Sequence, residues 1–128
     1  MEQVRRVSRI LVVEDEPLVR DMIVDVLLEA GFDTLEAGCA EQALRGLAQQ
    51  PIDAVITDID MPGELDGIDL ARRINELWPG IGVIVTSGGS RPAASLPRMA
   101  RFLAKPFTAG RLLHAITELI DARLCAAS

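Results

Sequence analysis

The sequence predicts an α/β fold built on a parallel sheet with helical crossovers. Short apolar runs alternate with amphipathic segments from end to end, the pattern of strands joined by helices. The apolar runs also stop abruptly at polar residues. Ile10 to Val13 closes on Glu14 and Asp15, and Ala54 to Thr57 closes on Asp58. Val83 to Val85 leads into Thr86 and Ser87, and Phe102 to Ala104 leads into Lys105 and Pro106. Each such strand carries its charge or hydroxyl to its carboxyl end, where the clefts of open parallel sheets lie.

The first strand is followed by Pro17, suited to the first turn of a helix, and then by Leu18, Met22, Ile23, Val26 and Leu27 at helical spacing, with Gly31 as a stop. Residues 32–37 read as a second, weaker strand. A short helix carrying Ala40, Ala43, Leu44 and Leu47 comes next, and Pro51 lies beyond its end. Ala54 to Thr57 is apolar on both faces, as a central strand covered on both sides must be. Met61 to Gly67 is loop, punctuated by Pro62, Gly63 and Gly67. A helix with Ile68, Leu70, Ala71, Ile74 and Leu77 follows, closed by Pro79 and Gly80, and a fourth strand spans Ile81 to Val85. Gly88 to Met99 contains Pro92 and Pro97, so the crossover that must join the fourth and fifth strands is short or irregular as a helix. The last helix begins near Thr108, an N-cap residue type, and carries Leu112, Leu113, Ile116, Leu119 and Ile120.

A chain of 128 residues fits one domain and buries a core without disulfides or structural metal. The net charge of -6 argues against a nucleic-acid surface, which needs clustered Lys and Arg. Arg5, Arg6 and Arg9 form a basic cluster ahead of Ile10 to Val13, but Glu14 ends that apolar run too early for a secretory signal. No run approaches a membrane span, which leaves the cytoplasm as the expected compartment and no membrane partner. Cys39 and Cys125 are far apart and form no CxxC, so they read as reduced thiols, and His114 reads as a surface or semi-buried helix residue.

Glu14, Asp15 and Asp58 converging on one sheet edge repel, since two unit charges ~4 Å apart interact by about 4 kcal/mol at an effective dielectric of 20. A hard divalent cation offsets that repulsion, and magnesium accepts a few carboxylate or carbonyl oxygens while keeping waters. Such a cation also neutralises charge on an incoming phosphoryl group. Asp58, at the end of the central strand, is placed to attack phosphorus, while Lys105 and the Thr86 hydroxyl are available to two further phosphoryl oxygens.

In this order and at these spacings the residues resemble a response-regulator receiver domain of bacterial two-component signalling. The motifs are Val12-Val13-Glu14-Asp15-Glu16-Pro17, Thr57-Asp58-Ile59-Asp60-Met61-Pro62, Asp66-Gly67, Val85-Thr86-Ser87 and Lys105-Pro106-Phe107. The resemblance covers nearly the whole chain and implies a single receiver domain over residues 1–128, with a core at about 8–124. It implies a three-layer flavodoxin-like, CheY-like fold: five parallel strands in order 2-1-3-4-5 with five helices. Asp58 is then the phosphoacceptor, served by a histidine kinase or a histidine phosphotransfer protein. Asp15 and Asp58 would ligate Mg2+ directly, with Mn2+ as a substitute, Glu14 acting through water and Asp60 through its backbone carbonyl. Thr86 would be the switch hydroxyl, Lys105 the phosphate contact and Phe102 the aromatic that reports phosphorylation. The implied protein is not an enzyme beyond its own phosphorylation and dephosphorylation. It acts as a stand-alone regulator, relay intermediate or phosphate sink with an unidentified downstream protein.

Some features depart from the family pattern. Gly63, Glu64 and Leu65 separate Met-Pro from Asp-Gly, one residue more than is usual. The stretch from Thr86 to Lys105 is shorter than usual, which speaks against the usual dimer and for a monomer or weak dimer. Phe102 replaces a tyrosine and leaves switching to packing alone, whereas Asp60 adds a carboxylate near the acceptor. The small residues Ser87 and Gly88 leave water a path, so rapid self-dephosphorylation is expected. Two alternatives stand beside this reading. One is a phosphorylation-independent binding module on the same fold. The other is a small haloacid dehalogenase-like phosphatase, suggested by Asp58-Ile59-Asp60 but opposed by an acidic pair that precedes the nucleophile instead of following Lys105.

Overall fold

In the computed structural model, residues 7–89 and 96–127 are described, with side-chain environments through 122. Five strands form one parallel sheet: β1 (Arg9–Val13), β2 (Asp33–Ala37), β3 (Ala54–Asp58), β4 (Gly82–Ser87) and β5 (Ala100–Ala104), in spatial order β2-β1-β3-β4-β5. Four helices are described: α1 (Pro17–Glu29), α2 (Ala40–Gln49), α3 (Gly67–Leu77) and α4 (Ala109–Ala127). The expected crossover between β4 and β5 falls largely on residues 90–95, which lie outside the described residues, as do Arg5 and Arg6 and the side chain of Cys125.

Alternation along the strands builds two cores. Leu11, Val13, Val55, Val83 and Val85 face α2 and α3, packing with Ala43, Leu47, Leu70 and Ile74. Ile10, Val12, Ala54, Ile56 and Ile84 face the opposite way and pack with Ile23, Leu27, Leu112, Ile116 and Leu119 of α1 and α4. Every residue of β3 and β4 is buried, as the run of aliphatics on both faces requires.

Most element expectations hold, and the helical faces need correction. Pro17 opens α1, and Gly31 follows it at φ 95°, a left-handed conformation suited to glycine. Thr108 precedes α4, and its Oγ1 accepts the Arg111 amide at 3.1 Å. Leu18 and Met22, expected in the core stripe of α1, are 79% and 66% exposed; Val24 takes their place inside. Helix α1 is apolar around most of its circumference, so spacing alone misplaces the centre of its buried arc. Leu77, the last residue of α3, is likewise exposed.

Candidate phosphoryl-acceptor site

The sheet order reverses direction at β1, whose neighbours are β2 and β3, and the carboxyl ends of β1 and β3 meet there. Glu14 follows β1 directly, and Asp58 is the last residue of β3. One carboxylate oxygen each from Glu14, Asp15 and Asp58 lies within 4.8 Å of the others. Glu14 is 1% exposed and Asp58 9%, whereas Asp15 is open to solvent. These hard oxygen donors, two nearly dry and one wet, fit magnesium, which binds through a few carboxylates and retains water.

Lys105, just past β5, joins the cluster. Its Nζ lies 3.1 Å from Glu14 Oε1 and 3.3 Å from Asp58 Oδ2, bridging the two buried acids. Burial pushes the Glu14 carboxyl above its ordinary range, outweighing the Glu16 amide and the Lys105 ammonium that favour its charged form. For Lys105 burial acts downward, but the Glu14 hydrogen bond and the charges of Asp58 and Glu14 win, so its pKa is raised and it stays protonated.

Thr86 lies opposite Asp58 in the β3/β4 register, and its hydroxyl, 1% exposed, donates to the Thr57 carbonyl at 3.4 Å. The sheet thus places that hydroxyl beside Asp58 while a backbone oxygen holds it. Ser87 is buried next to it, and its Oγ accepts the Gly89 amide at 3.1 Å; Gly88 is exposed. Phe102 is half-buried on β5 opposite Val85. The amide of Asp60 donates to Asp58 Oδ1 at 3.4 Å, and among the described residues the carboxylate cluster does not include the exposed Asp60 side chain. Lys105-Pro106 is a cis peptide. His114 is exposed, as expected, 3.6 Å from Glu118, and Cys39 is a free thiol just ahead of α2.

Asp66, Gly67 and Arg20 hold the elements around these residues in place. Asp66 caps α3, accepting the amides of Ile68 and Asp69 at 2.9 Å, while Asp69 accepts the Asp66 amide at 3.1 Å, a reciprocal capping box. Gly67 donates to the Ile59 carbonyl at 2.9 Å, so close that a Cβ there would collide with the backbone of Asp58 and Ile59. Any side chain would push α3 away from the end of β3. Arg20 of α1 donates to the Glu14 carbonyl at 2.7 Å and to Glu36 Oε1 at 3.0 Å. An arginine in the first turn of a helix carries no local mark of such a partner, whereas Asp-Gly before an amphipathic run is readable as a helix start.

The family described as response regulator receiver domain matches residues 10–117. The chain belongs to that family. It is 34% identical to the response regulator receiver protein CpdR of Brucella abortus over 119 residues, covering 90% of this chain and 98% of CpdR. The chemotaxis protein CheY of Bacillus subtilis is 32% identical over 118 residues, covering 88% and 98%. Among longer relatives, this receiver spans as little as 23% of the protein. Of solved structures, the response regulator TrrA of Thermotoga maritima in complex with Mg(2+)-BeF superposes with a TM-score of 0.80 at 31% identity, covering 88% of this chain and 98% of TrrA. Receiver domains serve two-component signalling rather than acting as classical enzymes; aspartyl phosphorylation, an acidic magnesium site and exchange with histidine kinases or phosphotransfer proteins are general to them. No helix among the described residues is long and apolar enough to cross a membrane.

Proposed function

We propose that this receiver takes a phosphoryl group onto Asp58 from a phosphohistidine of a kinase or phosphotransfer protein. The observation that carries the reading is Lys105 held between Glu14 and Asp58 at the edge of a three-carboxylate cluster. A carboxylate oxygen of Asp58 attacks phosphorus in line with the departing histidine nitrogen; the O–P bond forms as the N–P bond breaks. Asp15 and Asp58 would hold Mg2+ or Mn2+ directly, with Glu14 through water and Asp60 through its carbonyl. The bound cation supplies charge neutralisation at the phosphoryl oxygens.

This chain's own residues do the rest. Lys105 releases Asp58 and takes a phosphoryl oxygen instead, so its raised pKa keeps the ammonium charged for that exchange. The Thr86 hydroxyl leaves the Thr57 carbonyl for another phosphoryl oxygen, a short reorientation because Thr86 and Asp58 are paired in register. Phe102, without a hydroxyl, follows by packing alone, and the surface around β4 and β5 shifts between two states that a downstream protein distinguishes. Ser87 and Gly88 leave the acceptor open to hydrolytic water, so the acyl phosphate is short-lived. A protein donor is favoured by the rim of the site: the exposed Met22 lines an open cavity of about 440 Å³ together with Gly88, Lys105, Pro106 and Phe107.

Intact mass after incubation with phosphoramidate, with and without Mg2+, tests the reading. Wild type gains one phosphoryl group only with magnesium, and Asp58→Asn gains none. Wild type with no gain would leave a fixed binding module, and steady consumption of the donor without an adduct would indicate a phosphatase. Thr86→Ala keeps the gain but loses the response of the partner. Met22→Asp keeps the gain from phosphoramidate and loses transfer from a phosphohistidine protein.

A further inference from the structure

Resting on the receiver reading, we infer that Arg20 is a positioning residue for the divalent-cation site, with Glu36 cancelling its charge. Glu14 and Asp15 lie in the three-residue connection between β1 and α1, and two of the cluster's three carboxylates depend on how that connection is held. The Glu14 amide donates to the Ala37 carbonyl at 3.0 Å, and Glu14 Oε2 accepts the Glu16 amide at 3.2 Å. The remaining polar group of Glu14, its carbonyl, accepts Arg20 Nη1 at 2.7 Å. That carbonyl belongs to the peptide unit leading into Asp15. Holding it therefore restrains the backbone from which the exposed Asp15 carboxylate departs.

The same guanidinium reaches β2, where its Nε donates to Glu36 Oε1 at 3.0 Å. Arg20 thus ties α1, the acidic connection and β2 together through a planar fork that lysine cannot reproduce. An unpaired guanidinium beside three carboxylates would also compete with a cation for their field. Glu36 opposes that competition by balancing the charge. The ion pair is partly exposed, with side chains 22% and 46% accessible, so its worth to stability is small. Its consequence is for the metal site.

Charge and geometry predict opposite signs, which makes the inference testable. Arg20→Met removes a positive charge, and if charge were the residue's main contribution, Mg2+ would bind more tightly. If positioning dominates, Mg2+ binds about tenfold more weakly, the scale seen when partners that orient metal ligands are removed. Isothermal titration calorimetry of the full chain with MgCl2, without any phosphoryl donor, reads this directly. Expected are a roughly tenfold loss for Arg20→Met, an intermediate loss for Arg20→Lys, and a loss of about twofold for Glu36→Gln that shrinks as salt is raised. Thermal melting in EDTA monitors the fold, and Arg20→Lys with Glu36→Gln carries the test if Arg20→Met does not fold. Unchanged or tighter Mg2+ binding in the Arg20 variants, with wild type binding normally, overturns the inference alone. A wild type with no measurable Mg2+ affinity overturns the receiver reading and this inference with it.

Discussion

At the amino end of the sheet one arginine holds two acids, Asp33 through its guanidinium and Asp53 through its backbone amide, whereas at the carboxyl end Lys105 touches the two buried members of a cluster of three carboxylates. Arg9 donates through Nε and Nη2 to Asp33 at 2.9 and 2.8 Å, through Nη1 to Gln50 at 2.7 Å, and through its backbone amide to Asp53 at 2.7 Å. Those contacts tie β1 to the starts of β2 and β3, and the Arg9 hydrogen bond lowers the Asp33 pKa. At the other end Lys105 reaches Glu14 and Asp58, yet burial still leaves the Glu14 carboxyl raised. The same sheet therefore has one end where ionised acids stabilise the fold and one where they burden it. Residues that weaken the isolated fold are kept where a ligand completes them.

The largest effect comes from disturbing the geometry of the carboxyl end. Gly67→Ala forces a Cβ into the backbone of Asp58 and Ile59, where no flexible side chain can yield. A loss of about 3 kcal/mol in urea unfolding is expected, the upper part of the overpacking range, together with slower phosphoryl uptake. Next comes ligand binding: Mg2+ at about a hundredfold above its Kd stabilises wild type by about 2.7 kcal/mol and leaves Asp58→Asn nearly unmoved. At the amino end, Asp53→Ala strands the Arg9 amide and costs about 2 kcal/mol, with phosphoryl uptake from phosphoramidate unchanged. If Asp53→Ala abolished uptake at saturating Mg2+, the division of labour between the ends would be lost.

How much of this was legible before folding differs by kind of contact. Strand-end residues were readable because a parallel sheet sends every carboxyl end to one rim, so Glu14, Asp15, Asp58, Thr86 and Lys105 declare themselves by following apolar runs. Sheet order followed from the motifs that identify the family rather than from periodicity. Leu18, Met22 and Leu77 fit the helical spacing yet stay exposed, because apolar periodicity finds a helix but not which edge of an apolar arc the sheet covers. Arg20 and Arg9 were invisible as organisers: their partners lie on other elements, and a long flexible cation has no spacing rule. Gly67 was visible as part of Asp-Gly, but its reason, an approach to the acceptor strand too close for a Cβ, belongs to tertiary packing alone.

The smallest effects are the most discriminating, because matched substitutions at the two ends should differ in sign. Glu14 has a raised pKa in the fold, so the stability it contributes is complete below the ordinary carboxylate range and is lost as pH rises through the folded value. Glu14→Gln removes that loss while Lys105 keeps Asp58 at 3.3 Å, so melting in EDTA at pH 7 rises and the advantage fades in acid. Asp33 has a lowered pKa, so its contribution is present above the unfolded value of 3.8 and is lost as pH falls through the folded one. Asp33→Asn therefore lowers melting at pH 7, slightly because the pair is exposed and screened, and wild type and variant converge in acid once the Asp33 carboxyl is protonated in the fold. Added salt shrinks the Asp33 effect first, since water already reaches that pair, and leaves most of the Glu14 effect, whose cause is burial. Two carboxamide substitutions with the same sign at pH 7 would mean that the ends of the sheet do not differ in the way their pKa shifts require.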